Sequence, residues 1–239
     1  MDYRKVTVQA FDASWSKQYR EGDALAITHG SRQHYGDLLR KLSGAFGRPI
    51  DVLDVGCGTG RYFHCLRNVR RLVGVDISRD MLEQALEPVH GSELQVEQLE
   101  LLCGDIYSLE LPAGGFDLIY SIGVLAEYSP LTAALLEKLT ALLAPRGRLL
   151  LTAVDIHSRL QQPEDERLGP ALRVVRKIFP ALPRAARRVC NRALGSHYLT
   201  ERQLGALFRN PRFASFALAP YRHSSGWQGV HWDCLAEKH

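Results

Sequence analysis

The run Ile50-Asp51-Val52-Leu53-Asp54-Val55 passes without a break into Gly56-Cys57-Gly58-Thr59-Gly60-Arg61. A short apolar run bounded by turn residues reads as a buried strand. Glycine at three alternate positions then gives a tight turn with positive φ angles, over which a ligand can approach the backbone without meeting a Cβ. Thr59 is placed to cap a helix running through Tyr62, Phe63 and Leu66, which would direct unpaired N–H groups and the positive end of the helix at that ligand. The junction therefore requires a strand, a binding turn and a helix in succession.

The spacing bears on the ligand. A dinucleotide site needs G-x-G-x-x-G, so that a pyrophosphate rests on the helix N-terminus. Here the third glycine comes one residue early and Arg61 stands in its expected place. Asp54, two residues before the loop, is a poor neighbour for a phosphate and a good one for an ammonium group. Sixteen residues beyond Gly60, the run Leu72-Val73-Gly74-Val75-Asp76 predicts a second strand ending in an acid that can accept hydrogen bonds from ribose hydroxyls. An amino acid at one end and a ribose at the other describe S-adenosylmethionine (SAM).

Five segments in order carry a resemblance to the class I SAM-dependent methyltransferases of small-molecule type. They are Leu53-Asp54-Val55-Gly56-Cys57-Gly58-Thr59-Gly60, Gly74-Val75-Asp76-Ile77-Ser78, Cys103-Gly104-Asp105-Ile106, Phe116 through Leu125, and Leu142-Leu143-Ala144-Pro145-Arg146-Gly147-Arg148-Leu149. The likeness covers residues 48–155. It implies an α/β fold, a three-layer Rossmann-like sandwich whose seven-stranded, mostly parallel sheet has an antiparallel last strand. An N-terminal helical lid would occupy residues 1–47, the SAM-binding domain 48–239, and a basic helical insertion 155–200.

The same resemblance implies cofactor contacts from Asp54, Gly56, Cys57, Gly58, Gly60, Asp76, Ile77, Met81 and Ser121. Asp105 would accept from the adenine amino group, and the Ile106 backbone would serve the ring. Tyr19 or Trp15 would shield the sulfonium by a cation–π contact. Many small-molecule members carry a histidine after Val-Leu beyond the fourth strand; this chain has Ala126-Glu127 instead. Glu127 is accordingly the first candidate base, followed by Tyr128, His197 and Tyr198. A carboxylate there would either stabilise the sulfonium or, desolvated towards a neutral pKa, take a proton from the acceptor.

With 239 residues, 46% hydrophobic and 23% charged, the chain has the balance of a soluble globule that needs no second core. Net charge +4 is too small to imply nucleic acid. Five cysteines with neither C-x-x-C nor metal spacing predict reduced, mostly buried thiols and no metal site. Neither a signal-peptide core nor a membrane span is apparent, so the expected location is cytoplasmic.

Along the chain, residues 14–19 and 31–46 read as helices, the second with His34, Tyr35, Leu38, Leu39, Leu42 and Phe46 on one face. Strands are expected at 71–75, 99–103, 116–120, 148–154, 213–218 and 229–236, with a polar loop over 92–98. Ser78 would open a helix whose inward stripe is Met81, Leu82, Ala85, Leu86 and Val89. Ser129 and Pro130 would open another, with Leu135, Leu139, Leu142 and Leu143 inward and Pro145-Arg146-Gly147 as its stop. Thr200 and Gln203 form a capping box before the last two strands, and the loop between those strands contains Arg222 and His223.

The insertion carries Arg167, Arg173, Arg176, Lys177, Arg184, Arg187, Arg188 and Arg192 with no acid from 167 to 192. Two short helices are expected there, with Leu172, Val175 and Phe179, then Ala186, Val189 and Cys190, inward. That face suits an anionic partner or is simply solvated.

The leading function is methyl transfer from SAM to a small-molecule acceptor, with neither nucleic acid nor membrane as partner. Two alternatives stay open. One is an enzyme of the same fold that breaks another C–S bond and releases methylthioadenosine, by aminopropyl or aminocarboxypropyl transfer or by cyclisation of SAM to azetidine-2-carboxylate. The other is a non-catalytic SAM-binding module.

Overall fold

The computed structural model describes residues 8, 11–26, 30–158, 178–193, 196–222 and 229–239. Its elements, in chain order, are α1 (Ala13–Ala26), α2 (Gly30–Gly44), β1 (Ile50–Val55), β2 (Val69–Asp76), α3 (Arg79–Ala85) and β3 (Val96–Cys103). There follow β4 (Phe116–Ser121), α4 (Ala133–Leu142), β5 (Leu143–Val154), α5 (Arg184–Ala193), α6 (Glu201–Phe208), β6 (Phe213–Arg222) and β7 (Val230–Lys238). The seven strands form one sheet in the order β3-β2-β1-β4-β5-β7-β6. Strands β1 to β5 pair in parallel, and β7 runs antiparallel to both of its neighbours.

Period-two alternation sends successive side chains to opposite faces, so each strand feeds two cores. On one face Leu53, Ile119, Leu149 and Leu151 pack with Leu135 and Leu139 of α4 and Leu204 and Phe208 of α6. On the other, Val52, Leu118, Tyr120 and Leu150 meet Tyr35, Leu39 and Leu42 of α2. Of the two N-terminal helices, then, α2 forms part of a layer. The other, α1, is capped by Asp12, which accepts from the N–H groups of Ser14 and Trp15 at 3.0 Å each.

Burial falls from the centre of the sheet to its edges. All residues of β1 and β4 are buried, whereas most of β3 and β6 is exposed. This explains why the strand start at Val96 is hidden in the sequence. Glu97 and Gln98 belong to an edge strand, where polar side chains meet water, and the stretch 92–98 is only partly loop.

Other boundaries also differ. No α-helix follows Thr59; a 3-10 turn, Phe63–Cys65, stands in its place. A surface helix keeps an outward face, and Tyr62, Phe63, His64, Cys65 and Leu66 are all buried. Helix α4 is opened by Thr132, whose hydroxyl accepts from Leu135 N, while Ser129 closes a turn by accepting from Ala126 N at 2.7 Å. Leu143 belongs to β5, opposite Phe116; Arg148 is opposite Leu118, so the four residues between bulge from the ladder instead of ending a helix. Leu86 and Val189, expected inward, are 69% and 64% exposed.

Two expected features are present as read from the sequence. Ser78 caps α3, accepting from Met81 N, and Thr200 with Gln203 forms the capping box of α6. Phe179 is buried, and Asn191 of α5 is buried and donates to the carbonyls of Ile156 and Ser158 at 2.6 and 2.9 Å, tying the helix to the end of β5. Arg167, Leu172, Arg173, Val175, Arg176 and Lys177 lie outside the described residues, as does His223. Among the described residues no helix is long and apolar enough to cross a membrane, and no His/Cys/Asp/Glu group could hold a metal. All five cysteines are free; Cys57, Cys65 and Cys234 are buried and Cys103 is exposed.

Candidate functional site

A cavity of about 990 Å³, counting its open mouth, lies at the carboxyl ends of β1, β2 and β4, the end at which doubly wound sheets place ligands. The loop after β1 forms its floor. Gly56 has φ +77°, and a Cβ there would lie 2.5 Å from a Val124 methyl, so this position admits glycine alone. Gly58 and Cys57 line the cavity. Gly60 does not: at φ +74° it makes the turn, and a Cβ would strike the Phe63 ring at 2.7 Å.

Three carboxylates face the cavity, from the ends of successive strands. Asp54 is buried, and the loss of water pushes its pKa up to about 8; the Tyr120 hydroxyl beside it offsets only part of this, and Asp76 adds to it. Burial likewise raises Asp76, against the pull of backbone donors. Its two oxygens accept from Gly58 N at 2.8 Å and Ser78 N at 2.9 Å, with the Ile77 backbone as a further donor, which fixes the carboxylate plane and leaves room for one more donor. Asp105 accepts from Tyr107 N at 3.1 Å. Ile77, Met81 and Ile106 supply apolar wall between these acids.

A second wall is aromatic. Phe11, Tyr19 and Tyr128 line it, with Phe11 edge-on to Tyr128 at 5.3 Å between ring centroids and edge-on to Tyr19 at 6.4 Å. Trp15 does not line the cavity; it packs behind Phe11 and Tyr19. Side chains from the other elements hold this wall in place. The Ser78 hydroxyl donates to Phe11 O at 2.8 Å, and the fully buried Asp23 of α1 accepts from Thr59 Oγ1 at 2.8 Å. Arg61 lies 2.6 Å from Asp23 and stacks over Tyr19 at 4.4 Å. The residue occupying the expected glycine place is therefore a clasp between α1 and the loop.

Several expected site residues lie elsewhere. Glu127 is not among the cavity's lining residues; its carboxylate lies 3.5 Å from His231 Nε2 on β7 and close to Gly123, which does line it. Its neighbour Tyr128 does reach the wall, its pKa raised by burial and then by Glu127. Ser121 is fully buried and donates to Val55 O at 2.7 Å, bracing β4 against β1. Tyr198 packs on Val154 and Ile156, and His197, whose pKa burial lowers, is also outside the lining. Arg184, Arg188 and Arg192 are exposed on α5, away from the cavity.

The sequence reading missed Phe11 and Tyr107 as lining residues. Tyr107 stands two residues after Asp105, and its hydroxyl bonds Pro130 O, so an aromatic beside a strand-end acid was the available signal. Also missed was a pair beyond β5: Asp155 accepts from His157 Nδ1 at 2.9 Å and from Trp232 Nε1 at 3.0 Å. The signal there was Asp-x-His at the end of a parallel strand.

Comparison with known proteins gives three findings. Residues 48–179, more than half of the chain, match a family model described as a methyltransferase domain. Among curated proteins, the O-methyltransferase resE of Aspergillus sclerotiorum is 28% identical over 126 residues, 52% of this chain and 46% of that protein. The malonyl-[acyl-carrier protein] O-methyltransferase of Hahella chejuensis is 30% identical over 146 residues, 58% of this chain and 50% of that one. The chain thus spans about half the length of the curated relatives it matches. Among solved structures, magnesium protoporphyrin IX methyltransferase from Synechocystis PCC 6803 with bound SAM superposes with TM-score 0.64 at 16% identity, covering 100% of this chain and 98% of that one. At that identity the likeness is one of fold.

Proposed function

The chain belongs to the methyltransferase-domain family, and from that premise we propose that it binds SAM in the cavity and transfers the methyl group to a small molecule. The observation that carries the reading is Asp54, a buried carboxyl in the cavity lining beside the glycine loop, with no cation against it among the described residues. An amino-acid ammonium suits that carboxyl, a ribose hydroxyl can use the remaining acceptor capacity of Asp76, and the cleft among Ile77, Met81, Ile106 and Asp105 takes a flat ring with an exocyclic amine. The donor set fits SAM and gives a pyrophosphate no counter-charge.

When bound, SAM supplies an electrophilic methyl group and a neutral thioether as leaving group. The chain's own contribution is to bind, align and dry. Gly56 and Gly58 bring backbone against the ligand; Tyr19, Phe11 and Tyr128 cover it from water. An acceptor held at about 3 to 3.5 Å in line can gain several kcal/mol from alignment alone. Glu127, the chain neighbour of Tyr128 and 3.5 Å from His231, is the group proposed to take the acceptor's proton.

The test is to incubate the protein with SAM, alone and with a panel of small acceptors, and to identify the products by mass spectrometry. S-adenosylhomocysteine formed only with an acceptor is the expected result. Methylthioadenosine formed without one would overturn methyl transfer and make SAM itself the substrate.

A further inference from the structure

We infer that the acceptor is an amine and that Phe11, Tyr19 and Tyr128 form the box that receives it as an ammonium ion; this rests on the SAM reading of the same cavity. The three rings line one wall, and Phe11 stands at 82° to each of the other two. Perpendicular rings make a corner, and a cation within about 6 Å of such ring faces gains roughly 0.5 to 2 kcal/mol from each. One face of Tyr19 already carries the Arg61 guanidinium at 4.4 Å, so Phe11 and Tyr128 contribute most.

The charges around the box agree. Asp76 and Asp105 line the cavity, and Glu127, next to Tyr128 in the chain, is near enough to raise its pKa; Asp54 is left to the amino-acid end of SAM. The arginine in the lining, Arg61, is held by Asp23. Among the described residues an anionic acceptor would find no unengaged guanidinium in this wall, whereas an ammonium ion finds π faces and carboxylates. Of the basic residues that suggested an anionic partner, Arg184, Arg187, Arg188 and Arg192 stand on α5, outside the lining, and Arg167, Arg173, Arg176 and Lys177 lie outside the described residues.

The step balances. The ammonium gives one proton to the Glu127 carboxylate and becomes a neutral amine. Its lone pair forms the N–C bond to the methyl as the C–S bond breaks, and that electron pair returns to sulfur. The methylated ammonium product keeps the positive charge in the box, and S-adenosylhomocysteine is neutral at sulfur.

The experiment is calorimetric and needs no turnover. The protein is first titrated with S-adenosylhomocysteine; the saturated complex, whose ligand has no sulfonium, is then titrated with choline and with its neutral carbon isostere, 3,3-dimethylbutan-1-ol. Choline should bind at least about tenfold more tightly than the isostere. Phe11→Leu and Tyr128→Leu should each cost choline about tenfold and cost S-adenosylhomocysteine clearly less, and Tyr128→Phe, which keeps the ring, should retain choline. Equal binding of the two probes would overturn the inference and leave the cofactor reading intact. So would choline binding that the leucine variants do not change while SAM binding weakens, because the box would then serve the sulfonium. Failure to bind S-adenosylhomocysteine at all would overturn both.

Discussion

The two walls of the cavity are built on different plans. The acidic wall comes from the ends of adjacent strands, β1, β2 and β3, in a segment of chain where Asp54, Asp76 and Asp105 follow one another in order. Each acid is positioned by the parallel ladder beneath it: Asp54 sits opposite Gly74, and Asp76 opposite Cys103. The aromatic wall is assembled from Phe11 and Tyr19 near the start of the described chain and Tyr128 in the loop after β4. It is held by contacts between remote residues, chiefly Asp23 with Thr59 and Ser78 with Phe11. A wall on a ladder has its geometry set by the sheet; a wall held by clasps can open. The acids should therefore set affinity for the part of the ligand common to SAM and its product, and the rings should set what is admitted beside it.

The largest expected effect lies at Asp54. Asp54→Asn should weaken SAM binding by about 3 to 5 kcal/mol in calorimetry, the range for removing one partner of a buried ion pair. The acid also has a pH signature. Its pKa rises from 3.8 to about 8 on folding, so the stability it contributes to the ligand-free protein is fully present below 3.8 and is lost as pH rises through about 8. Denaturant melts between those limits should show this decline, and the asparagine variant should flatten it. Near pH 7, SAM binding should release about one proton, read from titrations in buffers of different ionisation enthalpy, and none from this site in the variant. A release unchanged in the variant would remove Asp54 from the ammonium site.

Gly56→Ala tests the floor shared by both walls. Positive φ and the collision with Val124 should together cost about 2 to 4 kcal/mol of stability in urea melts. Adding Val124→Ala should return the steric part and leave the backbone part. If the double variant recovers nothing, Val124 is not what confines the loop. Asp76→Ala should weaken SAM by about 1 to 3 kcal/mol through lost charge-assisted hydrogen bonds while the fold persists. Unchanged affinity would take Asp76 out of the site.

The smallest effect separates the two walls most cleanly. Thr59→Val removes the hydroxyl that Asp23 accepts and should cost about 1 kcal/mol. Amide exchange should rise in α1 and not in β1 or β2. Equal protection throughout would mean that the aromatic wall is as fixed as the acidic one.

The sequence by itself determined the ladder side. A buried strand run, glycines at alternate positions and acids at strand ends are local patterns whose physical demands, on φ, on burial and on charge, are met within a few residues. The seven-stranded, mostly parallel sheet with its antiparallel last strand also followed from the family resemblance those patterns carry, while the strand order came from the structure. What only the tertiary structure decided is which side chains from remote segments meet. Nothing near Glu127 in sequence says that it comes beside His231, 104 positions later. Nothing near Phe11 says that Ser78 will anchor it. Arg61 looked like a missing glycine until Asp23 of α1 stood beside it. Thr59 seemed fit to cap a helix, and the burial of Tyr62 through Leu66 left no outward face for that helix to present. Local sequence fixes backbone conformation and burial preference; pairings across long stretches of chain depend on how the layers pack, and only the packed chain specifies them.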